Sequence, residues 1–291
     1  MIAAVDATPL NSGRQRRRLH WQPAAVVGLT VFGLVVVATA FAPLLTPYGA
    51  NEQVLRDSLQ PPSTAHPLGT DRLGRDVLAR ILYGGRFSLL ITMVAVLVSG
   101  TLGTLLGATA GRLGGAVDEV VTRLIDLFLA VPGILVAIVI TALLKPGFGT
   151  LVLAITVTGW PTFARLARAV ALEINTRTYI EAAVALGTPE FLILRTHVLR
   201  NILAVTVALG FLRFGHVLLM IAGLSYLGLG AQPPTPDWGA MLADAQPYMQ
   251  RVPMLVLAPG LTIFATTLSV TLAGQGLTLM FDPQRTWARA R

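Results

Sequence analysis

The sequence predicts an all-α polytopic membrane protein with about six transmembrane helices. Of its 291 residues, 54% are hydrophobic and only 12% are charged. A soluble protein of this size needs a polar surface, which this composition does not supply, whereas lipid solvates an apolar exterior. Several apolar segments are also long enough to cross the hydrocarbon core, for which a helix needs about 20 residues.

Six segments satisfy this length criterion. The third contains Arg123 and Asp126, and the fifth contains Arg213, so these two are less apolar than the others. Pro132 and Pro161 predict bends within the third and fourth segments, because proline removes a helical hydrogen bond. The predicted spans are Ala24–Leu45, Phe87–Gly111, Val120–Leu144, Thr150–Val170, Ile202–Gly228 and Met254–Phe281.

The distribution of basic residues predicts that both termini are cytoplasmic. More of the arginines fall in segments on the same side of the membrane as the N-terminus, and the positive-inside rule assigns that side to the cytoplasm. The first span follows a basic stretch, as a signal peptide would, but its apolar run exceeds the usual length of about 7–15 residues, so we expect it to be retained. The predicted organisation is a cytoplasmic tail (1–23), a permease domain (24–281) and a second tail (282–291), with external loops 47–86 and 229–253 and a cytoplasmic loop 171–201.

Composition and motifs argue against several classes of function. The absence of cysteine excludes thiolate metal sites and a cysteine nucleophile, and the four histidines are scattered. The net charge of +8 is explained by membrane topology rather than by nucleic-acid binding. His216 and Ser225 would lie on opposite sides of one helix, so they do not form a hydrolase dyad. The single lysine, Lys145, does not follow a glycine-rich loop, so any ATP must be hydrolysed by another polypeptide. We expect no catalytic residue and no metal site.

The cytoplasmic loop 171–201 predicts two helices separated by a turn. The first should continue from the fourth span to about Leu186, and Gly187 suits a left-handed turn after a helix end. Thr188 and Pro189 are favourable as the N-cap and first residue of the second helix. Phe191, Leu194 and Val198 recur at helical spacing and predict an apolar face. That face must meet either the membrane surface or another protein.

Three separated motifs resemble the permease subunits of binding-protein-dependent ABC importers. The loop segment Tyr179–Gly187 (YIEAAVALG) resembles their Glu-Ala-Ala loop. The segments His66–Leu78 (HPLGTDRLGRDVL) and Leu224–Leu242 (LSYLGLGAQPPTPDWGAML) resemble the C-type subunits of permeases for dipeptides, oligopeptides and nickel. The resemblance extends from the first span to Asp282.

The resemblance implies the type I ABC importer permease fold and import of peptides by alternating access. It implies a coupling helix that docks into a cytoplasmic ATPase, with ATP and Mg²⁺ bound there and no cofactor in this chain. It also implies a second, B-type permease subunit, two ATPase subunits or one fused ATPase, and an external substrate-binding protein. Nickel import stays open as an alternative, and an ion-coupled secondary transporter is disfavoured. The coupling residues are Glu181, Ala182, Ala183, Gly187, Thr188, Pro189, Phe191 and Leu194.

Two further groups of residues lie within the predicted spans. Ser99, Gly103, Gly107 and Gly111 recur every four residues and form a small-residue stripe, which allows close approach of a helix from this chain or from the partner permease. Arg213 is costly in a span and should face a protein or water-filled interior, with His216 on roughly the same face. We expect either a role in the translocation path or an ion pair between Arg213 and Asp126.

Overall fold

The computed structural model describes residues 23–281, and the predicted tails therefore lie outside the described residues, apart from Pro23. Within this range the regular secondary structure is helical, apart from one isolated bridge between Thr70 and Asp76. The all-α prediction is confirmed. The α-helices are α1 (Pro23–Ala40), α2 (Ala42–Leu45), α3 (Val77–Leu113), α4 (Gly115–Ala130), α5 (Gly133–Leu143), α6 (Phe148–Asn175), α7 (Thr178–Ala185), α8 (Glu190–Ile193), α9 (Leu199–Tyr226), α10 (Trp238–Ala245) and α11 (Met254–Phe281).

Five of the helical segments are long and apolar enough to cross a membrane, and a bent pair forms a sixth candidate. The predicted sixth span, α11, has the bounds expected from the sequence. The third predicted span corresponds to this bent pair, in which α4 and α5 meet at an angle of 85° around Val131 and Pro132. The predicted bend at Pro132 is confirmed, whereas α6 continues through Pro161 without a break.

Helix α3 begins at Val77, ten residues before the predicted start at Phe87, so the predicted external loop 47–86 is shorter than expected. The Asp76 side chain caps the helix by accepting a hydrogen bond of 2.6 Å from the Ala79 amide. The prediction began the helix too late because Arg80 and Arg86 make residues 77–86 less apolar than the rest of the span. Both are paired in the structure, Arg80 with Asp71 and Arg86 with backbone carbonyls at the end of α1.

The small-residue stripe of α3 packs against α6 within the chain. A Cβ atom added to Gly103 would collide with the Trp160 carbonyl oxygen, and one added to Gly107 would collide with the Ala164 carbonyl group. Ser99 lies against Gly159, and Gly111 faces Arg168 and Ala171. Of the two contacts predicted for this stripe, the structure shows the intrachain one, and it brings the backbones of α3 and α6 close together.

Close packing also joins the remaining spans. Gly28 of α1 lies against the Ser269 carbonyl oxygen of α11, and Gly274 of α11 lies against Leu212 of α9. Phe32 and Phe214 pack edge to face with their ring centroids 5.4 Å apart, and so link α1 to α9. Helix α9 also packs against α3 and α6, so α3, α6, α9 and α11 form one connected bundle, and α1 lies on its outside against α3 and α11.

The end of the bundle that carries residues 41–76 and 227–253, here called the long-loop end, is held together by polar contacts. Asp237 caps α10 and accepts a 2.8 Å hydrogen bond from the Ser88 hydroxyl. The Trp238 indole Nε1 donates to the Ile81 carbonyl oxygen at 2.9 Å. Asp71 accepts hydrogen bonds from Arg75 and Arg80. Contacts from the two motifs His66–Leu78 and Leu224–Leu242 therefore fasten both long loops to the start of α3.

Candidate functional site

The loop at the opposite end of the bundle, residues 176–198, contains two short helices and is here called the coupling loop. Helix α6 ends at Asn175, so the prediction of a continuous helix to about Leu186 is wrong. The Asn175 side chain instead donates a 2.7 Å hydrogen bond to the Gly111 carbonyl oxygen at the end of α3. Asparagine is a weak helix former, and this contact favours a chain reversal there.

The turn between α7 and α8 has the left-handed geometry predicted for Gly187, whose φ is +72°. The amide of Gly187 donates to the Val184 carbonyl oxygen and the amide of Thr188 donates to that of Ala183, which is the Schellman pattern. Thr188 therefore caps the end of α7, and its prediction as the N-cap of the next helix is wrong. Pro189 holds that N-cap position, one residue before its predicted place.

The inner side of the coupling loop packs against the ends of α3 and α6. Ile180, Ile193 and Val198 are each at most 1% exposed and share a cluster with Ala108 and Ala171. After α8, a short π-helical turn (Leu194–Val198) leads directly into α9, so α8 and α9 form one helical segment, Glu190–Tyr226. The loop is therefore a folded part of the bundle.

A bidentate ion pair ties the coupling loop to α3. Arg112 donates from Nε and Nη2 to the two carboxylate oxygens of Glu190, at 2.7 and 2.9 Å. Its Nη1 donates to the Asn175 side-chain oxygen at 3.0 Å. One buried guanidinium thus connects the end of α3, the end of α6 and the start of α8. The sequence analysis did not identify this group, because the 78 residues between Arg112 and Glu190 leave no local signal.

The outer side of the coupling loop exposes large apolar side chains. Leu186 is 84% exposed and Phe191 is 70% exposed. The prediction that Phe191, Leu194 and Val198 form one exposed apolar face is wrong, because Val198 is buried and Leu194 is half-buried. Glu181 and Ala182 are exposed, whereas Ala183 packs against the inner cluster. The outer face consists of Tyr179, Glu181, Ala182, Val184, Leu186, Phe191 and Leu192.

A cavity of about 540 Å³ lies in the middle of the spans, between the α4–α5 bend, α6 and α9. Arg213 and His216 both line it, as predicted from their spacing. The bend contributes apolar and backbone groups from Phe128 to Ile134. Sequence reasoning did not predict this cavity, because the 85° bend that creates it is a tertiary feature.

Arg213 and Asp126 are not brought together. Asp126 instead lies 3.3 Å from Arg165 Nη2, in an exposed pair on α4 and α6. The predicted ion pair between Arg213 and Asp126 is therefore wrong, and Asp126 does not belong to the cavity lining. Arg213 Nε is buried and has no hydrogen-bond partner among residues 23–281.

Helices long and apolar enough to cross a membrane surround a cavity, and the space between the helices of a bundle is a usual place for a small-molecule site. The chain belongs to the family described as "Binding-protein-dependent transport system inner membrane component", whose model matches residues 103–286. A second model, the N-terminal TM domain of oligopeptide transport permease C, matches residues 13–62. Together they confirm the resemblance to C-type ABC importer permeases and a multi-pass membrane protein.

Curated relatives are similar over most of their length. The glutathione transport system permease protein GsiD of Pectobacterium atrosepticum is 41% identical, over 92% of this chain and 89% of its own. The di/tripeptide transport system permease protein DppC of Pseudomonas aeruginosa is 39% identical, over 89% and 88%. The dipeptide transport system permease protein DppC of Alkalihalophilus pseudofirmus is 38% identical, over 92% and 88%.

Proposed function

We propose that this chain is a membrane-spanning subunit of an ATP-driven importer that moves peptides across the cytoplasmic membrane. The relatives named above carry the names of peptide and glutathione permeases, and these molecules share an amide backbone and free carboxylates. The observation that carries the ATP-driven part of the proposal is the exposed apolar outer face of the coupling loop.

The outer face is the docking surface for a separate ATPase subunit. Leu186 and Phe191 project from a loop whose underside is already packed, so their exposure is not needed for folding of this chain. Exposed apolar groups of this size next to Glu181 suit a protein partner with an apolar cleft and a basic group. ATP and Mg²⁺ are bound by that partner. A homologous B-type permease subunit and an external substrate-binding protein complete the complex.

The mechanism is alternating access with both termini in the cytoplasm. Closure of the ATPase subunits on ATP displaces the coupling loop, and the Arg112–Glu190 pair transmits that displacement to α3 and α6. Since α8 and α9 are one helical segment, the same displacement reaches the cavity wall at Arg213. The cavity then opens outward to the binding protein, and hydrolysis restores the inward-facing state.

Co-purification tests the docking surface. A Leu186→Asp substitution should abolish recovery of an ATP-hydrolysing subunit with the tagged permease, because it places a charge in an apolar interface. Leu55→Asp is the matched control, since Leu55 is 69% exposed at the long-loop end. Equal recovery of the ATPase with both variants and with the wild type contradicts docking at this face.

Uptake in proteoliposomes tests the energy source and the cargo. Import of labelled dipeptide should require the binding protein and ATP, and should cease when the ATPase subunits carry a substitution that prevents hydrolysis. Dipeptide import that persists with such subunits, or that follows an ion gradient, contradicts the proposal. Uptake of radioactive nickel in place of peptide supports the nickel alternative.

A further inference from the structure

We propose that Arg213 forms a mid-membrane binding site for the free carboxylate of the transported peptide. This inference rests on the proposed function and adds a substrate group and a residue to it. It concerns the cavity between the α4–α5 bend, α6 and α9, which the coupling loop does not touch.

The cavity has the size and lining of a small-molecule site. Its volume of about 540 Å³ falls within the range of about 300–1,000 Å³ that is usual for ligand pockets. Most of its lining is apolar or backbone, with a small number of polar side chains, namely Thr158, Thr162, Arg213 and His216. The Thr158 hydroxyl is already bonded to carbonyl oxygens of its own helix, so it is a weak candidate for holding a ligand.

The charge in this cavity is positive and lacks an internal counter-ion. In the part of the chain that the structure describes, no carboxylate lies within ion-pair distance of Arg213, and its Nε is both buried and unpaired. A charged group at the centre of a span costs about 2.5–3.5 kcal/mol even on the lenient insertion scale. A guanidinium retained there without an internal partner is available for a partner that arrives from outside the chain.

The geometry keeps the guanidinium accessible from the cavity. Position 159 on α6 is a glycine, and a Cβ atom there would lie 4.0 Å from Arg213 Nη2. Arg213 Nη2 thus lies beside the one residue of this turn of α6 that has no side chain, and Arg213 itself is among the residues that line the cavity. His216, one turn further along α9, is exposed and lines the same cavity.

The chemistry selects a carboxylate over a metal ion. A planar guanidinium has a fork of N–H donors that binds a carboxylate in a bidentate manner, and it repels a divalent cation. Among the described residues, no group of three metal-ligating side chains is close enough to hold a metal. A peptide with a free C-terminus meets these requirements, whereas nickel as a bare cation does not.

Equilibrium binding tests the proposal on the complete complex of permease and ATPase subunits in nanodiscs, without nucleotide or binding protein. Labelled dialanine is compared with dialanine amide, which lacks the carboxylate. We expect the wild type to bind the free acid about tenfold more tightly or better, which corresponds to loss of a charged hydrogen bond in the amide. Arg213→Met should remove this preference, and Arg213→Lys should retain part of it.

Arg165→Met is the matched control, because Arg165 is an exposed arginine on α6 whose partner is Asp126, and it does not line the cavity. It should keep the full preference for the free acid. The inference is overturned if the wild type binds acid and amide equally, if Arg213→Met keeps the preference, or if that substitution instead separates the two permease subunits. In each of these cases import by the wild type in proteoliposomes still measures the proposed function separately.

Discussion

Substitution of Gly107 by alanine should loosen the contact between α3 and α6. An ideal Cβ at this position lies 2.8 Å from the Cα and carbonyl carbon of Ala164, whereas ordinary contacts begin at 3.4 Å. The shortfall is about 0.6 Å against these two carbons and larger against the Ala164 carbonyl oxygen, and backbone atoms cannot rotate away as a side chain could. The two helices must therefore separate locally, and the hydrogen-bonded end of α6 must follow.

The expected magnitude combines two opposing effects. Overpacking of a close interface costs about 1–3 kcal/mol, and replacing a helical glycine by alanine returns up to about 1 kcal/mol. Because the clash is with backbone atoms, the overpacking cost lies at the upper end of its range, about 2–3 kcal/mol, and the net destabilisation is about 1–2 kcal/mol. In chains of 150–250 residues, 1 kcal/mol lowers the midpoint of thermal unfolding by about 2–4 °C, so we expect a decrease of about 2–8 °C.

Thermal unfolding of the purified complex, followed by size-exclusion chromatography with fluorescence detection, measures this effect. Gly33→Ala is the matched control, because a Cβ at Gly33 of α1 meets no atom within 4 Å, so its midpoint should stay the same or rise. The contrary result is a midpoint for Gly107→Ala that stays the same or rises while the midpoint for Gly33→Ala is unchanged. It would refute the argument that α3 and α6 touch through their backbones at Gly107.

Three further substitutions test other contacts. Arg112→Gln should lower peptide import severalfold while ATP hydrolysis persists, since it removes the pair with Glu190 that joins the coupling loop to α3; equal losses of both activities contradict this role. Gly187→Val should reduce ATPase co-purification, because the left-handed conformation costs a branched residue roughly 1–2 kcal/mol, and wild-type recovery argues against it. Trp238→Phe should lower the thermal midpoint, since it removes the buried hydrogen bond from the indole to the Ile81 carbonyl, worth about 0.5–1.5 kcal/mol; an unchanged midpoint counts against that bond.

Hydropathy predicted the spans best where no charge and no bend interrupt them. Helix α11 has the predicted bounds because its sequence is predominantly apolar and contains no charged residue. The start of α3 was missed because Arg80 lowers the apolar average, although Asp71 pairs with it in the structure. Pro132 indicated a bend, but its size of 85° depends on how α5 packs against α6 and was not predictable from local sequence.

The sequence predicted a loop with two helices between the fourth and fifth spans, and the structure has a loop with two short helices there, but its exposed surface was predicted only in part. Helical spacing groups Phe191 with Val198, yet the π-helical turn between them shifts the register, so one is exposed and the other is buried. The Gly187 turn was predictable because its conformation is a local property. The ion-pair partner of Asp126 was not predictable, since it depends on which helix packs beside α4.

The uninterrupted helix from Glu190 to Tyr226 joins the two sites of this chain mechanically. At 1.5 Å per residue, the 22 residues between Phe191 and Arg213 place them roughly 33 Å apart on one stiff rod. In the proposed mechanism, a tilt imposed on this rod at its coupling-loop end changes the width of the cavity that Arg213 lines. Substrates that widen the cavity should, through the same rod, alter how readily the proposed ATPase partner docks.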